Sequence, residues 1–410
     1  MRTVSETEFG HILGALPGVP RIVASGNFAA PARLLAIADA SIAEFRLVML
    51  NAQPGIPDRE GVVHETSFVG PGMRGGARLR YFPCRLSLVP DLLRQRLVPD
   101  VVLLHTSPAS GGAVSLGVEV NVLPAAVEAV RARGGIVVAQ ANPHMPVTYG
   151  DAQLPVEAVD YLVEAGEPLA THAPAAPDAT SRTIGERVAA LVPQQATLQL
   201  GIGAIPDATL EALRHRRGLR VWSEMFTDGA LALEKAGALD ADTPVTASFC
   251  FGSEELYDWI DRNPRVRMLR TEKTNDPAAI AAHPGLMSIN SALQVDLFAQ
   301  ANASRVGART HSGFGGQTDF IVGAMHSAGG HAIIALRSWH PKADVSAVVP
   351  LLSGPVTSFQ HSYIVTEQGT AQIWGRDSVE QAQEILDHAA HPGVRDSLLD
   401  AGRRLGLPLR

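Results

Sequence analysis

"LQLGIGAIPDATLEAL", residues 198–213, reads in one pass as an apolar strand, a Gly-x-Gly turn and an amphipathic helix, with Pro206 and Asp207 near the helix start. A strand that enters a helix through a tight glycine turn is the unit of a parallel sheet, and its recurrence decides the fold class. It does recur. "RIVASG" (21–26) is followed by the helical stretch "PARLLAIADASIAEF" (31–45), then by the apolar runs "RLVMLNA" (46–52) and "DVVLLHTS" (100–107). "AAVEAVRARGG" (125–135) and "IVVAQANPHMP" (136–146) repeat the unit, with the Gly pair stopping the helix and an Asn-Pro loop ending the strand.

Residues 167–181, "EPLATHAPAAPDATS", are rich in Pro, Ala and Thr and poor in large apolar side chains, which is the composition of a linker. Beyond it the alternation resumes with "TIGERVAALV" (183–192), "ATLQL" (196–200), "AIIALRS" (332–338), "SAVVPLL" (346–352) and "SYIVTE" (362–367), and the chain closes on a helical pair broken at His391-Pro392-Gly393. The expected fold class is therefore α/β, with two open α/β domains, residues 1–180 and 181–410. A length of 410 residues agrees, because a single core rarely keeps growing to that size.

Composition narrows the function. Hydrophobic residues make up 46% of the chain and charged residues 18%, and the net charge is −7 with no long Lys/Arg run, which argues against nucleic acid or an anionic membrane as partner. No uninterrupted apolar stretch long enough to span a bilayer occurs, and the start lacks the order of a signal peptide, so a cytoplasmic protein acting on small molecules is expected. Cys84 and Cys250 are too few for a disulfide framework and read as buried thiols; the histidines lack a metal-binding spacing, so no metal is expected.

Three glycine loops can present backbone N–H groups to negative charge: "GIG" at 201–203, "GFGG" at 313–316 and "SGNFAAP" at 25–31. Each also serves as a plain turn. The first lacks the third glycine of a dinucleotide fingerprint. Glu224, in "SEMFTDG" (223–229), follows the strand-like "LRVW" (219–222), and ligands of open α/β sheets bind beyond the carboxyl ends of strands. Glu224 is thus either a reactive carboxylate at a loop mouth or a structural partner of a basic group. Asp228 reads as a helix N-cap, and Asp296 and Asp319 as structural carboxylates.

Taken in order, "HETSFVGPGMRGGARLRYFPCRLS" (64–87), "SLGVEV" (115–120), "ANPHMPVTYGD" (141–151), "LQLGIGAIPDA" (198–208), "SEMFTDGAL" (223–231), "INSALQVDLFAQANA" (289–303), "SGFGGQTDF" (312–320) and "YIVTEQG" (363–369) resemble the acetyl-CoA hydrolase/transferase family of family I CoA-transferases. The resemblance implies two α/β domains with the active site between them, Glu224 as catalytic glutamate, and oxyanion-hole amides at Ile202 or Gly203 and at Gly315 or Gly316. It further implies that Gly26, Asn27, Gly201, Met225, Asn290, Ser291 and Gly313 surround the CoA and acyl groups. Acyl-CoA and a small carboxylic acid would be the substrates, with coenzyme A as co-substrate, no other cofactor, and a homo-oligomer as the assembly. An unperturbed Glu ionises near about 4.3, a margin of more than about two units, so Glu224 is expected to be both sheltered and charged at neutral pH. A nucleotide- or CoA-binding module without chemistry, in which Glu224 merely caps a helix, is the alternative of another class.

Overall fold

The computed structural model describes residues 1–173, 176–356 and 358–410. The chain divides into two compact units, Met1–Ala173 with Thr246–Thr274, and Pro174–Val245 with Asn275–Arg410. Thr246–Thr274 returns to the first unit, a crossing that a single linear boundary does not contain. Within the expected linker, Pro174 and Ala175 lie outside the described residues.

The first unit is built on an eight-stranded sheet, in the order Arg2–Thr3, Tyr161–Glu164, Ile136–Ala141, Val101–Thr106, Arg21–Ala24, Phe45–Val48, Val62–Thr66 and Leu79–Tyr81. Every pairing is parallel. The apolar runs explain it: Val101, Val102, Leu103 and Leu104 are all fully buried, so both faces of this strand are covered, as in a parallel sheet flanked by helices. The helices Ala32–Ser41 and Leu123–Ala132 turn Leu34, Leu35 and Ala38, and Leu123, Ala126 and Val130, into the core.

The second unit holds a six-stranded sheet, ordered Arg220–Val221, Thr197–Gln199, Leu286–Ser291, His331–Ala335, Tyr363–Val365 and Thr370–Gln372. The first five run parallel and the last antiparallel. One core cluster gathers Val295, Leu297, Ile321, Ile334, Ile364 and Leu386, and a smaller one Ile280, Leu286, Phe320 and Ala324.

Three local readings are corrected. "SAVVPLL" forms only the two-residue strands Val345–Ser346 and Val348–Val349, outside the main sheet, because Val348 pairs with Val295 and Pro350 lacks the N–H to extend a ladder. Asp228 opens the helix Asp228–Lys235 as its first residue, and the cap position belongs to Thr227. Cys84 is only partly buried, while Cys250 is buried.

Candidate functional site

The Gly-x-Gly turn leaves the carboxyl end of Thr197–Gln199 and enters the helix Ala204–Ala212. Gly203 sits at the helix N-cap with φ +108°, a conformation that a side chain would oppose, so the turn requires glycine there. Ser223, fully buried, anchors the neighbouring loop: its Oγ accepts from Leu200 N–H at 3.0 Å and donates to the Leu200 carbonyl at 3.3 Å. This clip sets Glu224, one residue on, beside the turn that begins at Gly201. A Cβ on Gly201 would stand 3.3 Å from the Ile289 carbonyl, which places the turn against the end of Leu286–Ser291, where Asn290 and Ser291 lie. Asn290 Nδ2 donates to Gln199 Oε1 at 2.9 Å, and the Ser291 carbonyl accepts from Gln317 Nε2 at 3.4 Å.

Gln317 opens the helix Gln317–His326, whose N-cap is Gly316. The Gly316 N–H donates to the Glu224 carboxylate. A Cβ on Gly316 would fall 1.8 Å from Glu224 Oε2 and 2.1 Å from Asn275 Nδ2, so only glycine lets the carboxylate lie against this helix start. Asn275, fully buried, donates from Nδ2 to Glu224 Oε2 at 3.0 Å. Glu224, Gly201, Asn290, Ser291 and Gly316 are therefore brought together within one unit. Met225 is buried immediately beyond Glu224, Ile202 is 48% exposed at the turn, and Gly313 and Gly315 lie in the loop that leads to Gly316.

Glu224 keeps a partly exposed edge, yet its carboxyl is enclosed, and burial pushes its pKa up to about 7. The hydrogen bond from Asn275 opposes that rise, the charge of fully buried Asp319 adds to it, and the Gly316 N–H opposes it again. The margin expected from an ordinary glutamate is thus used up by the burial of the carboxyl. Asp319, read from the sequence as structural, acts on Glu224 through its charge. Asn275 escaped the sequence reading altogether, because "TNDP" reads as a turn before a helix and its partner is 51 residues away. Among the described residues no group of His, Cys, Asp and Glu could hold a metal ion, and no helix is long and apolar enough to cross a membrane.

Residues 20–171 match the acetyl-CoA hydrolase/transferase N-terminal domain and residues 252–402 match the C-terminal domain. This chain belongs to the acetyl-CoA hydrolase/transferase family. It is 38% identical over 352 residues, 82% of this chain and 81% of the relative, to the 4-hydroxybutyrate coenzyme A transferase of Clostridium kluyveri. It is 36% identical over 360 residues to a succinyl-CoA:acetate/propanoyl-CoA:succinate CoA transferase of Fasciola hepatica, covering 83% of this chain and 74% of the relative. The crystal structure of RipA from Yersinia pestis superposes with a TM-score of 0.92 at 27% identity, over 99% of this chain and 98% of that one. The protein is accordingly an enzyme of the CoA-transferase kind with the CoA-transferase fold.

In the first unit of this family member, Gly26 and Asn27 have local duties. Gly26 N–H donates to Glu119 Oε1 at 3.1 Å, and a Cβ there would lie 2.0 Å from the Leu50 carbonyl. Asn27, in the left-handed region at φ +43°, donates from Nδ2 to Glu119 Oε2 at 2.8 Å and accepts at Oδ1 from Asn51 Nδ2 at 2.8 Å. Glu119 also accepts from Asn121 Nδ2 at 3.0 Å, and burial pushes its pKa up to about 7. Asn27 additionally lines a cavity of about 740 Å³ within this unit.

Proposed function

We propose that the protein transfers CoA between a short acyl-CoA and a carboxylic acid, with Glu224 as the nucleophile. The observation that carries this reading is the seat of the Glu224 carboxylate, between the Asn275 side-chain amide and the Gly316 N–H and next to the Gly201–Gly203 turn. The groups that shift the ionisation of Glu224 include the Asn275 amide, the Gly316 N–H and the Asp319 carboxylate.

In the proposed sequence an oxygen of the Glu224 carboxylate attacks the thioester carbonyl carbon, the C–S bond breaks, and CoA leaves as thiolate, giving a mixed anhydride. The thiolate then attacks the glutamyl carbonyl, the anhydride C–O bond breaks, and the first acid departs as carboxylate, leaving a glutamyl-CoA thioester. A second carboxylate runs the steps in reverse. Each tetrahedral intermediate places negative charge on an oxygen. Amides at Gly315 or Gly316 and at Ile202 or Gly203 are the proposed donors, and one such hydrogen bond is worth about 2.7–4 kcal/mol of barrier. The hydrogen bond from the Gly316 N–H to the Glu224 carboxylate supports this role for Gly316. The raised basicity of Glu224 strengthens the ionised form as a nucleophile, and remote binding of the CoA handle holds this modest nucleophile against its target.

Water in place of the acceptor acid would turn the same site into an acyl-CoA hydrolase. Acetyl-CoA turnover with and without added acids separates the two. Acyl transfer that depends on the acceptor supports transfer, and release of free CoA at a rate indifferent to the acceptor overturns it.

A further inference from the structure

Two side-chain amides at the catalytic edge of the second unit carry groups that the proposed transfer leaves unused. Gln199 ends the strand Thr197–Gln199, and Leu200 alone separates it from the Gly201–Gly203 turn. Its neighbour on the next strand is Ser288. Asn290 follows Ser288 by two residues in Leu286–Ser291, so their side chains leave the same face of the sheet. The intervening Ile289 offers its carbonyl to the Gly201 side, where a Cβ on Gly201 would stand 3.3 Å away.

The three side chains close a triangle. Asn290 Nδ2 donates to Gln199 Oε1 at 2.9 Å and to Ser288 Oγ at 2.8 Å, and Ser288 Oγ donates to Gln199 Oε1 at 2.9 Å. Both N–H bonds of the Asn290 amide are thereby spent on buried partners, Gln199 being 4% exposed and Ser288 0%. Turning the Asn290 amide by itself would set its carbonyl oxygen against Gln199 Oε1, an acceptor facing an acceptor. Two atoms are left over, Asn290 Oδ1 and Gln199 Nε2. Neither has a hydrogen-bond partner among the described residues, and neither is sealed from solvent. An unpartnered donor on a side chain otherwise withdrawn from water gains more from a ligand's hydrogen bond than one on an open surface.

The pair selects among the parts of the two substrates. A carboxylate has no hydrogen to give to Asn290 Oδ1, and neither has an ionised phosphate, so the acceptor acid and the nucleotide end of CoA do not match it. A secondary amide does match, because it donates at its N–H and accepts at its C=O. The pantetheine arm of CoA carries such amides, the nearer one a short spacer from the sulfur, and it is present whichever acyl group is bound. A hydroxyl on the acyl group would offer the same donor and acceptor. The acetyl group has none, so with acetyl thioesters the recognition falls on the arm.

We propose that Gln199 and Asn290 bind an amide of the pantetheine arm, its N–H donating to Asn290 Oδ1 and its C=O accepting from Gln199 Nε2, and so help hold the thioester at the Gly201–Gly203 turn. This rests on the transferase reading of the same site. The probes are S-acetyl-N-acetylcysteamine, which keeps the amide nearest the sulfur, and its ester analogue, in which oxygen replaces the N–H. The full chain is assayed for kcat/KM with each thioester and propionate as acceptor, or, where turnover is too slow to time, for competition of each against acetyl-CoA. Wild type should favour the amide about tenfold or more, and Asn290→Leu should reduce that preference to within about twofold. Gln199→Glu keeps the acceptor for Asn290 but loses Nε2, and should weaken both thioesters about equally, since both retain the carbonyl. Should Asn290→Leu fail to fold, Asn290→Ala decides. A wild type that moves CoA from acetyl-CoA to propionate but does not prefer the amide, or a folded Asn290 variant that keeps the preference, overturns the pantetheine assignment alone. A wild type that moves no CoA to propionate overturns the transferase reading and this assignment with it.

Discussion

Asn275, Gly316 and Asp319 define what Glu224 can do, and each makes its own prediction. Asp319 raises the Glu224 pKa by its charge, so Asp319→Asn should move the rising limb of the pH–rate profile, expected near pH 7, to lower pH. Asn275→Ala removes a hydrogen bond that favours the carboxylate and should move the same limb to higher pH. Profiles of kcat/KM against pH check both signs, and shifts in one common direction would refute this electrostatic account. Gly316→Ala places a methyl where Glu224 Oε2 lies, and on the proposed mechanism the displaced carboxylate should lower kcat about 100-fold or more while leaving the melting temperature close to wild type. Wild-type kcat in that variant would show that the seat of the carboxylate is immaterial. At this scale the sequence exposes Glu224 and the glycines, because a carboxylate after a strand and a Gly-x-Gly turn are local patterns. It hides Asn275, whose function depends on a partner that only the fold supplies.

Among the elements, the strand-to-helix loop after Arg21–Ala24 depends on Glu119, which gathers the Gly26 N–H and the Asn27 and Asn121 amides in the buried interior. Its pKa in the fold, about 7, exceeds the ordinary 4.5, so the stability it contributes is full below about pH 4.5 and is lost as pH rises through about 7. Glu119→Gln removes this loss. The free energy needed to unfold it, relative to wild type, should increase between about pH 4.5 and about pH 8, by up to roughly 3 kcal/mol. Urea titrations at the two pH values test this, and a difference independent of pH would contradict it. The elements themselves were mostly legible: the runs 100–107, 136–146 and 332–338 became strands because continuous apolar side chains suit a sheet covered on both faces. "SAVVPLL" failed as a main-sheet strand for a reason its composition only half shows, since Pro350 ends the ladder but the pairing of Val348 with Val295 is a tertiary choice.

For the whole molecule, alternation of strand and helix was enough to expect two α/β bodies, but not the return of Thr246–Thr274 to the first of them, because a chain crossing leaves no mark in periodicity or composition. The ordered series of family-like segments reached further than any single motif, and the matched domains cover residues 20–171 and 252–402. What that membership leaves to experiment is whether a covalent link to Glu224 forms. The most direct measurement is the intact mass of the purified chain after incubation with acetyl-CoA and no acceptor acid. The account predicts a gain corresponding to one CoA, removed by hydroxylamine and missing in Glu224→Ala. An active enzyme that never acquires this adduct, or a Glu224→Ala variant that still does, would contradict it.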